Sequence, residues 1–194
     1  MIPFLEKIAD RLLQKFPDNM ENLAIVFPSK RAVVFFKHYL SKKIDKPVFL
    51  PDFYSIEDFI ENLSGLEVLD NISLQFLLYR TYLKYPPRKQ DKFDDFLKWS
   101  NILIHDFNEI DRALVDAESI YTNLSRVKEL DSWAVDNWSF SDGNLTDIQS
   151  DYLSFFEGIL KWYNDFNSSL LKENLAYQGL AYKKAVQNLE GLEI

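Results

Sequence analysis

The chain contains no cysteine, which removes disulfides, thiolate nucleophiles and cysteine-ligated zinc or iron–sulfur centres in one step. Histidine is almost as scarce: only His38 and His105 are present, too few for a histidine-rich metal centre. Glycine occurs five times, at 65, 143, 158, 179 and 191, and is never followed by lysine. A phosphate-cradling loop ending in Gly-Lys-Ser/Thr is therefore missing, and with it the basis for nucleoside triphosphate hydrolysis by this chain. Apolar runs stay far below the roughly 20 residues a bilayer requires. The opening Met1-Ile2-Pro3-Phe4-Leu5-Glu6 has an acid where a signal peptide would be apolar. These absences lead to the expectation of a soluble, cytoplasmic protein with no cofactor, metal or catalytic centre of its own.

What is present suffices for a folded core. Apolar residues make up 47% of the 194, and 16 Phe and ten Tyr stand against two Met, so the interior should be stiff and aromatic. The net charge of −8 argues against a protein that coats DNA, yet the charge is uneven. Residues 1–50 hold nine Lys/Arg against five Asp/Glu, which places any anion-binding surface in the first quarter.

Hydrophobic spacing sets the outline. Phe4, Leu5, Ile8, Leu12, Leu13 and Phe16 repeat at helical intervals before Pro17. Leu23-Ala24-Ile25-Val26-Phe27 is a short apolar run of the type found in parallel strands buried on both faces. Pro28-Ser29 breaks it, and helical spacing resumes from Arg31 to Lys43. Pro47-Val48-Phe49-Leu50-Pro51 reads as a second strand, making a βαβ unit, and Ser55-Ile56-Glu57-Asp58 as a capping box opening a helix. Further helices are expected over Ile72–Tyr85, Phe93–Ile110, Asp116–Leu124, Tyr152–Leu171 and Leu180–Leu189, with a loop from Ser132 to Asn144. The fold class is thus α/β but mostly helical: a small parallel sheet in residues 1–65 joined to a helical subdomain in 66–194. The open edges of so small a sheet, and the apolar pattern still running at Leu189 to Ile194, suggest a piece of a longer protein.

The segment richest in chemistry is Phe27-Pro28-Ser29-Lys30-Arg31. A helix that starts just after a strand presents free amides and partial positive charge, and Ser29, Lys30 and Arg31 add a hydroxyl and two cations there. Cations at a helix amino terminus oppose the macrodipole unless an anion answers them, and a nucleic-acid phosphate would do so. The plain structural reading is a capped helix with solvated cations. His105, Asp106 and Glu109 share a helix face but lack further metal ligands. Asp94, Asp95, Asp106, Glu109 and Asp111 read as a solvated acidic face, and His38 as structural. Trp133 and Trp138 in the loop can either stack bases or close a core edge.

The order of these segments resembles the start of AddB-like helicase–nucleases of Bacteroidetes, PD-(D/E)XK nuclease family proteins of double-strand break repair. The resemblance rests on Phe4-Leu5 with Ile8-Ala9, Leu23 to Ala32, Phe35-Phe36 with Tyr39-Leu40, and Pro51 to Ile60. It continues through Phe93 to Trp99, Asp106 to Asp111, Asn123 to Leu130 and Gly179-Leu180-Ala181-Tyr182. It implies a superfamily 1 helicase-like (P-loop-type) domain that has lost its motor, incomplete in this chain, with a helical subdomain inserted in it. It also implies a DNA-backbone contact at Ser29, Lys30 and Arg31. The implied partners are single-stranded or duplex-end DNA, the remainder of the polypeptide and an AddA-like helicase subunit, with no membrane. The family's nuclease motif and cluster cysteines lie near its carboxyl terminus and have no counterpart here. An acidic helical protein-interaction domain without nucleic-acid binding is the alternative.

Overall fold

A computed structural model describes residues 2–17, 20–124 and 147–190. The chain is mostly helical and divides into two compact units, Met1–Leu63 and Ser64–Ile194.

In the first unit, α1 (Phe4–Lys15) leads to β1 (Ala24–Phe27), α2 (Lys30–Ser41), β2 (Asp52–Ser55) and α3 (Ile56–Ser64). β1 and β2 pair in parallel, Ala24 opposite Asp52 through Phe27 opposite Ser55. Alternation along each strand sends Ile25, Phe27 and Phe53 to one face, where α1 and α2 meet them. Ala9, Phe27, Phe36 and Leu40 form the buried centre, and the Phe36 ring lies 4.9 Å from Phe27 and 5.6 Å from Phe53. At the far end of α2, Lys43 reaches both Glu6 (3.2 Å) and Asp10 (2.8 Å) of α1.

Two expectations are corrected here. The second strand is Asp52–Ser55, not Pro47–Pro51, whose Val48, Phe49 and Leu50 are exposed. Pro47 and Pro51 have no N–H to give a ladder, whereas the Asp52 amide bonds the Leu23 carbonyl at 2.9 Å. Nor is β1 buried on both faces: α1 and α2 cover Ile25 and Phe27, whereas Ala24 and Val26 on the opposite face are exposed.

The second unit holds β3 (Glu67–Val68), α4 (Asn71–Lys84), α5 (Phe93–Arg112), a helix over 117–124 (α6), α7 (Asp147–Lys172), β4 (Leu175–Ala176) and α8 (Gln178–Glu190). Asp70 caps α4 by accepting from the Ile72 and Ser73 amides, and Asp116 caps α6 through Glu118 and Ser119. Pro86 and Pro87 follow the end of α4. Asn174, with φ +56, turns the chain out of α7, and its carbonyl accepts from Glu67 to start the parallel β3–β4 ladder. Two residues per strand leave no hydrophobic signature, so no sequence pattern predicts this ladder.

The core of this unit is aromatic. Tyr82, Phe96, Trp99 and Trp162 interlock, with ring centroids 4.7–6.2 Å apart. Their polar ends are satisfied: Trp162 Nε1 donates to the Tyr85 carbonyl (2.8 Å), Trp99 Nε1 to Asp91 (3.0 Å), and Tyr82 Oη accepts from the Asp91 amide (2.7 Å). Gly179 lets α8 approach α5. A methyl built on it would sit 2.1 Å from the Asn108 carbonyl oxygen, and its amide donates to Asn108 Oδ1 at 2.7 Å.

Candidate nucleic-acid interface

Parallel pairing places the carboxyl ends of β1 and β2 side by side, and each strand runs almost at once into a helix. Pro28 and Ser29 separate β1 from α2, whereas Ser55 both ends β2 and precedes α3. Two helix amino termini therefore open on the same edge of the sheet, the edge at which open α/β sheets bind ligands. Ser29 Oγ accepts from the Ala32 amide (3.3 Å) as the cap of α2. Ser55 Oγ accepts from the Asp58 amide (3.2 Å) and donates to the Asp58 carboxylate (2.8 Å), the capping geometry expected from its spacing.

The electrostatics of the two starts differ. α3 carries Glu57 and Asp58 in its first turn, so its positive pole already has an answering charge. α2 has no acid in its first turn and begins with Lys30 and Arg31. Lys30 crosses to Asp58, with Nζ 2.9 Å from the carboxylate. That bond, helped by the Ser55 hydroxyl, holds the Asp58 carboxyl below the usual carboxylate range, and it raises Lys30 in turn. Both groups are largely solvated, so the bond orients side chains more than it stabilises the fold. Arg31 is exposed and has no carboxylate partner among the described residues. Of the two cations expected to face an anion, one is shared with Asp58 and one is available.

The basic excess of residues 1–50 also looks different in the folded unit. Residues 51–63 add Asp52, Glu57, Asp58 and Glu61 and no base, so residues 1–63 hold nine of each sign. The net basic excess of the first quarter is thus cancelled within the folded unit, and the first turn of α2 is left with Lys30 and Arg31 and no acid of its own.

The other candidates separate. His105, Asp106 and Glu109 are exposed on α5, and no group of three or more metal-capable side chains occurs among the described residues. Asp94 is exposed, and Asp95 pairs with Lys98 at 2.7 Å. His38 is exposed in the last turn of α2, edge-on to Tyr39. Trp133 and Trp138 lie outside the described residues. No helix among the described residues is long and apolar enough to cross a membrane.

Asp111 departs from the expected solvated face. It is fully buried and accepts hydrogen bonds from the Tyr163 and Tyr177 hydroxyls, from Asn167 Nδ2 (3.3 Å) and from Lys183 Nζ (2.8 Å). Burial, reinforced by the Asp111 charge, pushes both tyrosines well above the ordinary phenol value, so they remain donors. The signal was in the spacing. Asp111 follows Leu103 and Phe107 at intervals of four, on the apolar side of α5. The Asp106–Asp111 and Gly179–Tyr182 segments, which carry part of the family resemblance, meet here through Asn108–Gly179 and through Asp111 with the neighbouring Tyr177 and Lys183.

No family model, curated protein or solved structure matches this chain.

Proposed function

We propose that the chain is the amino-terminal, helicase-like and non-catalytic part of an AddB-like DNA-repair protein. It contacts the single-strand backbone at the start of α2 and serves as a scaffold for the remainder of its polypeptide and an AddA-like subunit. The observation that carries the reading is the paired helix starts at the carboxyl edge of a parallel sheet. There the acid-free first turn of α2 offers the Ser29 hydroxyl, Arg31 and a Lys30 held by Asp58.

Backbone contacts of this kind are independent of sequence and release counterions. Two free cations would give log K against log salt a slope of about −1.4 on single strands, and Arg31 alone about −0.7. The expected slope for the native chain is the smaller one. Asp58→Asn frees Lys30, so it should tighten binding and steepen the slope toward about −1.4, while Arg31→Ala should abolish most of the salt dependence. Fluorescence anisotropy with a labelled oligothymidylate at 20–200 mM salt reads all three. Identical binding by the native chain and Arg31→Ala removes the proposed contact.

A protein-interaction role rests on the second unit, where 21 Asp/Glu face 13 Lys/Arg. It predicts no oligonucleotide binding even at the lowest salt, with a basic protein partner bound instead.

A further inference from the structure

We propose that the groove between α7 and α8 is a binding site for a small organic oxyanion, a carboxylate or a phosphate monoester, separate from the α2 start. The groove is open to solvent and has a volume of about 340 Å³, at the small end of sites that hold metabolites. Tyr163 and Asn167 lie buried at its inner side, Leu171 and Leu180 line it, and Asn164, Ser168, Lys183, Lys184 and Gln187 complete it.

The charge of this lining is opposite to that of its surroundings. It contains two ammonium groups and no carboxylate, in a unit where acids outnumber bases 21 to 13. Lys184 has no ion-pair partner among the described residues. Lys183 is held in place by what lies behind it: Nζ donates to Asp111 at 2.8 Å and to the Tyr163 hydroxyl oxygen at 3.2 Å. An ammonium has three N–H groups, so these two bonds leave a third uncommitted. Asp111 is also bonded by two phenols and a carboxamide, all neutral, so Lys183 is its ion-pair partner and the net positive charge of the lining rests on Lys184.

The result is an anchored N–H donor beside a second, unpaired cation, with carboxamides and a hydroxyl within the same groove. Fixed donors lower the ordering cost of binding an oxyanion, and an unpaired lysine beside them supplies the answering charge.

The test is a two-dimensional amide NMR titration of the full chain with inorganic phosphate and, separately, with succinate, against sodium chloride at matched ionic strength. Saturable shifts confined to residues 163–168 and 183–187 are expected. Phosphate alone saturating assigns a phosphate monoester, and succinate alone a carboxylate. Lys184→Gln removes one charge-assisted hydrogen bond without touching Asp111 and should weaken saturation about tenfold. Shifts that rise linearly like those of chloride, or that are unchanged in Lys184→Gln, overturn the proposal. Arg31→Ala serves as the control and should leave this titration unaltered.

Discussion

Replacing Asp111 with alanine is expected to destabilise the second unit by about 3–5 kcal/mol, the usual result of deleting one partner of a buried ion pair. The substitution leaves the Tyr163 and Tyr177 hydroxyls, Asn167 Nδ2 and Lys183 facing a cavity, three of these four groups on buried residues. Asp111→Asn keeps the volume but exchanges one acceptor for a donor, so it should fall between alanine and wild type. Lys183→Met should also be costly, since it leaves the fully buried carboxylate with three neutral donors and no cation. All four tryptophans, at 99, 133, 138 and 162, belong to this unit, so tryptophan fluorescence in a urea titration follows it alone. If Asp111→Ala unfolds at the wild-type midpoint, the cluster does not hold α5, α7 and α8 together.

The second large effect is expected at Gly179. An alanine methyl there meets the backbone of α5 at Asn108 O (2.1 Å), Asn108 C (2.9 Å) and Arg112 N (3.1 Å). Backbone cannot rotate aside as a side chain can, so the two helices must separate, and the Gly179–Asn108 hydrogen bond is lost with them. We expect a loss of about 3 kcal/mol, at the upper end of overpacking penalties. Gly65→Ala is the informative comparison. Nothing lies within 4 Å of its added methyl, and the strain comes only from its φ of +69, for which about 1 kcal/mol is expected. Equal losses at the two positions would mean that close packing of α5 on α8 contributes nothing.

The sequence carried the helices well because each has a cap, a stop or an apolar stripe. Asp70 and Asp116 sit where capping residues belong, and the tandem prolines follow α4. The capping spacing of Ser55 and Asp58 was legible for the same reason: it is local chemistry. What escaped was long-range. The apolar segment 47–51 looked more like a strand than Asp52-Phe53-Tyr54-Ser55, since only pairing with β1 reveals which residues can supply amides. The Lys30–Asp58 bond joins residues from different helices and halves the free charge read from the Lys30-Arg31 pair. Asp111 was read by its chemical type, although its spacing placed it among Leu103 and Phe107. The 67–68 and 175–176 ladder is too short to have any pattern.

The Asp111–Lys183 bond spans 72 residues of chain. At a synthesis rate of about 5–20 residues per second, the carboxylate leaves the ribosome roughly 4–14 s before the lysine that answers it. During that interval the aromatic half-core built from residues 74–107 has no α8 to close it. Nascent chains stalled between the two positions should therefore be sensitive to protease and bound by holdase chaperones, whereas the first 63 residues, which form a compact unit of their own, have no such delay.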